Sequence, residues 1–174
     1  QSYSTSYIPT SGQASGVTRN KDVCNNGGSA ASINSTEGVL YAEIKTLTEL
    51  GLFRQINLND GTTANRIYIS KRANNGNLEF RMDNSLGSLN FSISKNTTNN
   101  YVKVAFRYGL NNFAVFIDGV NQNVNPTGNT FSANTFNNLE FTSPINQNFF
   151  GKTKCLAVWK EPLSDEELAE LTTI

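Results

Sequence analysis

Arginine and tyrosine side chains alternate with apolar residues on neighbouring runs of the chain, close to carboxylates. Arg66 and Tyr68 lie on alternate positions of one run, and Glu79 and Arg81 lie on alternate positions of the next. Alternate residues of a strand share a face. Guanidinium groups bind hydroxyls and carboxylates, and a phenol ring packs against a sugar, so we expect a face that binds a glycan, suited to an acidic one. The predicted glycan-binding residues are Arg54, Arg66, Tyr68, Glu79, Arg81 and Arg107.

A simpler interpretation of this pattern stays open. An antiparallel sheet with one solvated face shows polar residues there as a matter of course, and cross-strand pairs of arginine and glutamate are ordinary. On that view the face carries no ligand.

Catalysis is not expected, and no catalytic residue is predicted. The sequence has no His, which removes a Ser or Cys nucleophile with a His base. Glycan-cleaving enzymes use a pair of carboxylates that flank the scissile bond, and two carboxylates one residue apart on a strand would face the same side. Glu79 and Asp83 lie too far apart for such a pair, and Asp165 to Glu167 are explained by a helix cap.

Acidic residues in predicted loops raise the question of a metal site. Asp22, Asp60, Asp83 and Asp118 lie in or near predicted loops with Asn neighbours, and these oxygens suit calcium. Loop Asp and Asn residues also form turns without any metal. The candidate metal ligands are Asp22, Asp60 and Asp118, and the alternatives are a calcium site or no cofactor.

Charge and hydropathy give no support to two classes of partner, and neither nucleic-acid binding nor membrane insertion is expected. The formal net charge is zero, whereas nucleic-acid binding usually needs a basic face. No apolar run approaches the about 20 residues that a membrane-spanning helix needs. Because the chain begins at Gln1 and lacks an initiator Met, we expect a processed piece of a longer protein, whose other domains are partners.

Short apolar runs separated by turn-forming clusters predict an all-β sandwich. Ala73 to Gly76, Gly109 to Asn111 and Asp118-Gly119 are predicted hairpin turns. The predicted strands are Val39–Ile44, Phe53–Leu58, Arg66–Ser70, Asn77–Met82, Leu89–Ser94, Tyr101–Tyr108, Asn112–Ile117, Leu139–Thr142 and Lys154–Lys160.

Alternation predicts the core. Its expected members are Val102, Val104, Phe106, Tyr108, Phe113, Val115, Ile117, Ile67, Ile69, Leu78, Phe80 and Met82.

One helix is predicted, at the end of the chain. Ser164 and Glu167 form a capping box, with Leu163 and Leu168 at the positions of a hydrophobic staple. Leu168 and Leu171 are then expected to face the body of the domain.

The cysteines and the tryptophan each allow two interpretations. Cys24 and Cys155 either form a disulfide between the first and last strands or are buried thiols. Trp159 is either an exposed stacking platform or, as we expect, packed beneath the final helix.

Two segments resemble laminin-G-like domains of the concanavalin-A superfamily. Lys154 to Leu168 (KCLAVWKEPLSDEEL) is similar to the family's closing strand and helix, and Asn112 to Val120 (NFAVFIDGV) resembles its "DG" hairpin. Ser2 to Thr10 with Val17 to Asn20 resembles a junction in phage tail and virion proteins that precedes such a domain. Together with Phe150 to Lys154, these segments bracket nearly the whole chain. The resemblance implies an all-β fold: an antiparallel two-sheet jelly roll with one short C-terminal helix.

We therefore expect residues 1–16 to be a linker or a surface-lying strand and residues 17–174 to be a laminin-G-like sandwich. The expected function is a non-catalytic carbohydrate-binding or adhesion module of a phage virion or phage-like surface protein. Its expected partner is a glycan or a host-surface polysaccharide, and its location is the virion or the cell surface. The alternatives are a structural spacer without ligand and, more remotely, a glycan-cleaving enzyme.

Overall fold

The computed structural model describes residues 27–46, 54–72, 76–142 and 147–174, with the backbone alone for Arg54. The expected N-terminal segment, Asp22 and Cys24 lie outside the described residues.

Two five-stranded antiparallel sheets make up the described part of the chain. Sheet A runs in the spatial order β10 (Gly151–Trp159), β1 (Gly38–Thr46), β6 (Val102–Tyr108), β7 (Ala114–Ile117) and β8 (Val120–Asn121). Sheet B runs in the order β5 (Gly87–Ile93), β4 (Leu78–Asn84), β3 (Arg66–Lys71), β2 (Arg54–Asn59) and β9 (Asn138–Glu140). The all-β two-sheet prediction is confirmed. Each predicted strand has its counterpart, and β8 is the strand that the sequence did not predict.

The core lies between the inner faces of the two sheets, and its predicted members are buried. Phe106 of β6 lies at its centre. The ring of Phe106 contacts Phe80 and Phe91 of sheet B edge-on, with centroid separations of 5.8 Å and 6.3 Å. Such edge-to-face pairs are favourable beyond the area that they bury, so this residue connects the two sheets.

A smaller apolar cluster forms on the outer face of sheet A, beneath α1 (Asp165–Thr172). Leu168 of α1 is fully buried against Ala105 and Phe116 of the sheet. Trp159 packs in this cluster, edge-on to Tyr41 with the ring centroids 6.1 Å apart. Trp159 is thus half-buried within an apolar cluster, as expected of a packed residue rather than an exposed stacking platform. The helix thus covers part of sheet A and leaves the outer face of sheet B to polar residues.

The turn at Asp118 and Gly119 has the geometry that its sequence predicts. Both residues have positive φ, 49° and 79°, as the tight hairpin between β7 and β8 requires. The thiol of Cys155 is exposed on β10, so the interpretation as a buried thiol is wrong for this residue. Its disulfide with Cys24 stays a prediction.

Helix α1 begins with the predicted capping box. The Glu167 N–H donates to Ser164 Oγ at 3.2 Å, and the Ser164 N–H donates to Glu167 Oε2 at 2.8 Å. Leu163 packs on the same cluster as Leu168, as in a hydrophobic staple. No helix in the described residues is long and apolar enough to cross a membrane.

We predict that Ser164→Ala lowers the free energy of unfolding by about 0.5–2 kcal/mol, because backbone donors of the first turn lose their acceptor. Chemical denaturation measures the change. Ser164→Thr, which keeps a capping hydroxyl, should lose much less. An unchanged denaturation midpoint in Ser164→Ala would show that the cap does not stabilise the helix.

Candidate functional site

The outer face of sheet B is polar, and strand register sets its layout. Tyr68 of β3 lies opposite Asn57 of β2 on one side and Arg81 of β4 on the other. Arg66 lies opposite Asp83 in the next row. Several of these side chains are buried although they face away from the core, including Asn57, Tyr68, Glu79 and Asp83. Burial of polar groups is costly unless they are paired, so their hydrogen bonds decide the geometry.

Asp83 accepts most of the hydrogen bonds in the part of this face around Arg66 and Arg81. Its carboxylate accepts hydrogen bonds from Arg66 Nε at 2.9 Å, Arg81 Nε at 2.8 Å and Ser88 Oγ at 2.7 Å. Burial would raise the pKa of Asp83, but the hydrogen bonds from Ser88, Arg81 and Arg66 outweigh it and hold the pKa below its usual value. Asp83 therefore stays ionised and fixes both arginines through Nε.

Glu79 organises the other half. Its Oε1 accepts from the Tyr68 hydroxyl at 3.2 Å and from Asn90 Nδ2 at 3.3 Å. Its Oε2 lies 3.3 Å from Arg72 Nε, an ion pair without the alignment of a hydrogen bond. Burial, and then the charge of Glu79, raise the pKa of Tyr68 well above its usual value, so the phenol remains a hydrogen-bond donor.

The ring of Tyr68 is used within the protein. The Arg66 guanidinium carbon lies 4.7 Å from the ring centroid, a cation–π contact. One ring face is thus covered by Arg66, and the side chain as a whole is buried, which leaves little of the ring exposed to a sugar.

A pocket of about 200 Å³ opens over these groups. It brings together Arg66, Tyr68, Glu79 and Arg81, as predicted, and adds residues that were not predicted. Its lining consists of Gln55, Arg66, Tyr68, Arg72, Glu79, Arg81, Asn90 and Gln147.

The lining residues that were not predicted differ in whether the sequence carries a signal for them. Gln55 and Arg72 share the alternate-residue phase of the pocket face on β2 and beyond β3, so the same period-two argument could have found them. Gln147 has no such signal. It reaches the pocket because Asn148 forms a parallel bridge to Gln55 and Asn57 donates to the Thr142 carbonyl.

Buried polar atoms without hydrogen-bond partners cluster at this pocket. Among the described residues they include Gln55 Oε1, Arg66 Nη1, Arg72 Nε and Glu79 Oε2, all on lining residues. Ser70 Oγ, in the same row of the sheet as Gln55 and Glu79, is another. Native proteins leave few such atoms, and each calls for an explanation.

Comparison with known proteins gives fold but no family. No family model matches the sequence, and no curated protein matches it significantly. Solved structures do match. The CBM40 module of Ruminococcus gnavus IT-sialidase, bound to α2,3-sialyllactose, has a TM-score of 0.62 at 16% identity, covering 79% of this chain and 83% of that one.

Two further matches widen the group. The SAP-like pentraxin of Limulus polyphemus has a TM-score of 0.59 at 14% identity, covering 82% of this chain and 72% of that one. Domains LG4-5 of the mouse laminin α1 chain have a TM-score of 0.55 at 15% identity, covering 80% and 43%. The chain has the laminin-G-like, lectin-like jelly-roll fold. The predicted fold resemblance is confirmed.

Within this laminin-G-like sandwich, one predicted site residue, Arg107, lies away from the pocket. Arg107 is on β6 of sheet A, where its Nη1 donates to the Leu163 carbonyl at 2.9 Å and to Asp165 Oδ1 at 2.7 Å. It anchors the start of α1. The expected convergence of Arg107 with the other arginines is therefore wrong, because outward phase on a strand does not say which sheet holds that strand.

Of Arg54 only the backbone is described, and it pairs with Lys71 at the start of β2. Its place in the site stays a prediction.

Arg66 also differs from expectation, because it is buried in an ion pair with Asp83. Its removal would therefore cost stability as well as any binding, and Arg81, about one-third exposed, is the better test residue.

The predicted calcium ligands are separate in the fold. Asp60 closes the turn after β2, accepting from the Thr62 N–H at 2.9 Å and from Asn65 Nδ2 at 2.8 Å. Asp118, at the end of β7 in sheet A, accepts from the Lys103 N–H and pairs with Lys95 Nζ at 2.6 Å. The described residues contain no group of three or more acidic, His or Cys side chains suited to a metal. Calcium stays a prediction.

The groups around the pocket hold defined protonation states. The pKa of Asp83 is lowered, so its carboxylate is ionised, and the phenol of Tyr68 stays protonated. What the arrangement offers is a set of fixed donors and acceptors.

The stability that Asp83 contributes should depend on pH. Because its folded pKa lies below the unfolded value of about 3.9, the contribution is complete above about pH 4 and is lost as the pH falls through the lower folded value. We predict that Asp83→Asn lowers the free energy of unfolding by about 3 kcal/mol at pH 7. Urea titrations should show that this difference shrinks toward pH 2.

The matched control is Asp165→Asn, which removes a carboxylate that is 54% exposed. Its loss should stay below about 1 kcal/mol. A pH-independent loss in Asp83→Asn would contradict the role given to the ionised carboxylate.

Proposed function

We propose that this chain is a non-catalytic carbohydrate-binding module that holds an acidic sugar in the pocket lined by Tyr68 and its neighbours on sheet B. The observation that carries the proposal is the group of buried polar atoms, among the described residues, that make no hydrogen bond and belong to residues lining that one pocket. Two of them, Arg72 Nε and Glu79 Oε2, form an ion pair with each other. A ligand that supplies both donors and acceptors would satisfy them, and sugars do so with closely spaced hydroxyls.

The charges around the pocket favour an anionic ligand. Three arginines, Arg66, Arg72 and Arg81, face two carboxylates, Glu79 and Asp83. One positive charge is therefore left over for a ligand carboxylate. Because Arg66 and Arg81 are held through Nε, their terminal nitrogens remain to bind it, in the planar geometry that suits a carboxylate.

The matched structures support the same ligand class. The R. gnavus module was solved with α2,3-sialyllactose, a glycan that carries a carboxylate. Identity of 16% is evidence for the shared fold, and the ligand of that module serves here as a reason to choose a probe.

We further propose the setting that the N-terminal resemblance implies. The module would belong to a longer phage virion or phage-like surface protein and would bind a host-surface polysaccharide. Ser2 to Thr10 and Val17 to Asn20 support this proposal through their similarity to a phage tail junction.

Two alternative functions make different predictions. A structural spacer binds no glycan, and its polar face is simply a solvated sheet. A glycan-cleaving enzyme releases reducing sugar from a bound oligosaccharide, which is a direct assay.

We predict that the chain binds sialyllactose and does not bind lactose, which lacks the carboxylate. Calorimetric titration should show affinity that falls as salt rises, because the exposed part of the interaction is screened. Arg81→Ala should weaken binding about tenfold or more, the equivalent of one charge-assisted hydrogen bond. Addition of EDTA tests the calcium prediction in the same titration.

The matched control is Lys152→Ala, which removes a positive charge from exposed β10 in the other sheet. It should leave the affinity unchanged. Equal binding of lactose and sialyllactose would overturn the acidic ligand, and no binding to any glycan on an array would favour the spacer.

A further inference from the structure

The edges of the two sheets differ in how they are protected from pairing. In the described residues, β8 and β9 are edges of two and three residues, too short to extend a sheet. Edge β10 is long but carries Lys152 and Lys154 and pairs with β1 through an irregular register. Short length, lysines and bulges are the usual devices that block edge pairing. Three edges therefore carry such a device.

Edge β5 carries none of them. It has seven residues, Gly87 to Ile93, without charge or proline, and its register with β4 is regular throughout. Ser88, Asn90 and Ser92 are exposed, so no described residue covers the polar side of the strand. Leu89, Phe91 and Ile93 are only partly buried at the edge of the core.

The hydrogen-bonding phase of β5 directs a defined set of backbone groups outward. Asn84 and Gly87 pair across a two-residue turn, which makes them a hydrogen-bonded pair. Bonding alternates from there, so the odd-numbered residues of β5 bond to β4. The N–H and C=O groups of Ser88, Asn90 and Ser92 point to the open edge, and none of them bonds to another described residue.

We propose that β5 pairs with β5 of a second copy, antiparallel and centred on Asn90. This register places Asn90 opposite Asn90 and Ser88 opposite Ser92 of the second copy, so that all the outward groups bond in pairs. Leu89 then lies opposite Phe91 of the second copy, which extends both apolar faces. No like charges meet. The strand is self-complementary, and this is why the occupant is a second copy.

The pairing brings two pockets onto one continuous face. Asn90 lines the pocket and lies on the paired strand, so the second copy borders the site. Five strand spacings of about 4.8 Å separate β3 from its counterpart, which puts the two Tyr68 residues about 24 Å apart. A polymer with repeated acidic sugars would engage both. This bivalence rests on the proposed function, whereas the pairing does not.

Cross-linking tests the register. In a background with Cys24→Ser and Cys155→Ser, Asn90→Cys should give a covalent dimer under mild oxidation, because hydrogen-bonded pairs have Cα atoms about 5.5 Å apart. Ser88→Cys is the matched control and should not cross-link, because its counterpart lies opposite Ser92. A dimer from Ser88→Cys and none from Asn90→Cys would overturn the register.

A proline variant tests the pairing itself. Ser92→Pro removes one outward N–H and leaves the bonds to β4, whereas Ser92→Ala keeps that N–H. Light scattering should show a dimer for the native chain and for Ser92→Ala, and a monomer for Ser92→Pro. A native chain that remains monomeric at all concentrations would overturn the proposal. Hydrogen exchange gives a second test: protection of the β5 edge amides in the monomeric native chain would show that they are already bonded within one copy, and would also overturn it.

Binding then separates this proposal from the proposed function. On a surface dense in sialyllactose, Ser92→Pro should bind about 100-fold more weakly than Ser92→Ala, because it loses avidity. Its affinity for free sialyllactose should be unchanged, since Ser92 does not line the pocket. A dimer that binds no sugar would refute the proposed function alone, and a monomer that binds it would refute the pairing alone.

Discussion

The buried carboxylate of Asp83 is the interaction on which the polar face of sheet B depends. An ionised carboxylate removed from water is costly unless several donors replace the water. Arg66, Arg81 and Ser88 supply those donors from three strands. The same bonds hold both guanidinium groups, and Arg66 in turn lies over the Tyr68 ring. The pocket is therefore shaped before any ligand arrives, which lowers the entropy that binding costs.

The outer faces of the two sheets differ because the helix covers only one of them. Helix α1 packs on the outer face of sheet A, where Arg107 holds its first turn. Sheet B has polar residues on its outer face and packs against the core on the other. The same layered architecture occurs in a pentraxin, a laminin and a sialidase module. Function on such a fold is decided by the residues on the open face.

The candidate site was predictable where it follows strand alternation. Arg66 and Tyr68, like Glu79 and Arg81, share a face because they lie two residues apart, and the structure brings all four to one pocket. From the sequence, Asp83 was considered as a calcium ligand or a turn residue. Its role in holding two arginines was missed, because the sequence does not distinguish a buried carboxylate with several donors from one in a loop. Gln147 was missed because a bridge between Gln55 and Asn148 positions it.

By itself the sequence determined the local structure: the strands, their inward faces, the hairpin turn at Asp118-Gly119 and the capping box at Ser164. These features follow from side-chain periodicity and from contacts within a few residues along the chain. Only the tertiary structure decided which strands share a sheet. Alternation reports the side of its own strand on which a residue lies, and the outward residues of both sheets have the same pattern. For that reason Arg107 was grouped with Arg81 in the sequence, although the fold places it in the other sheet beneath the helix.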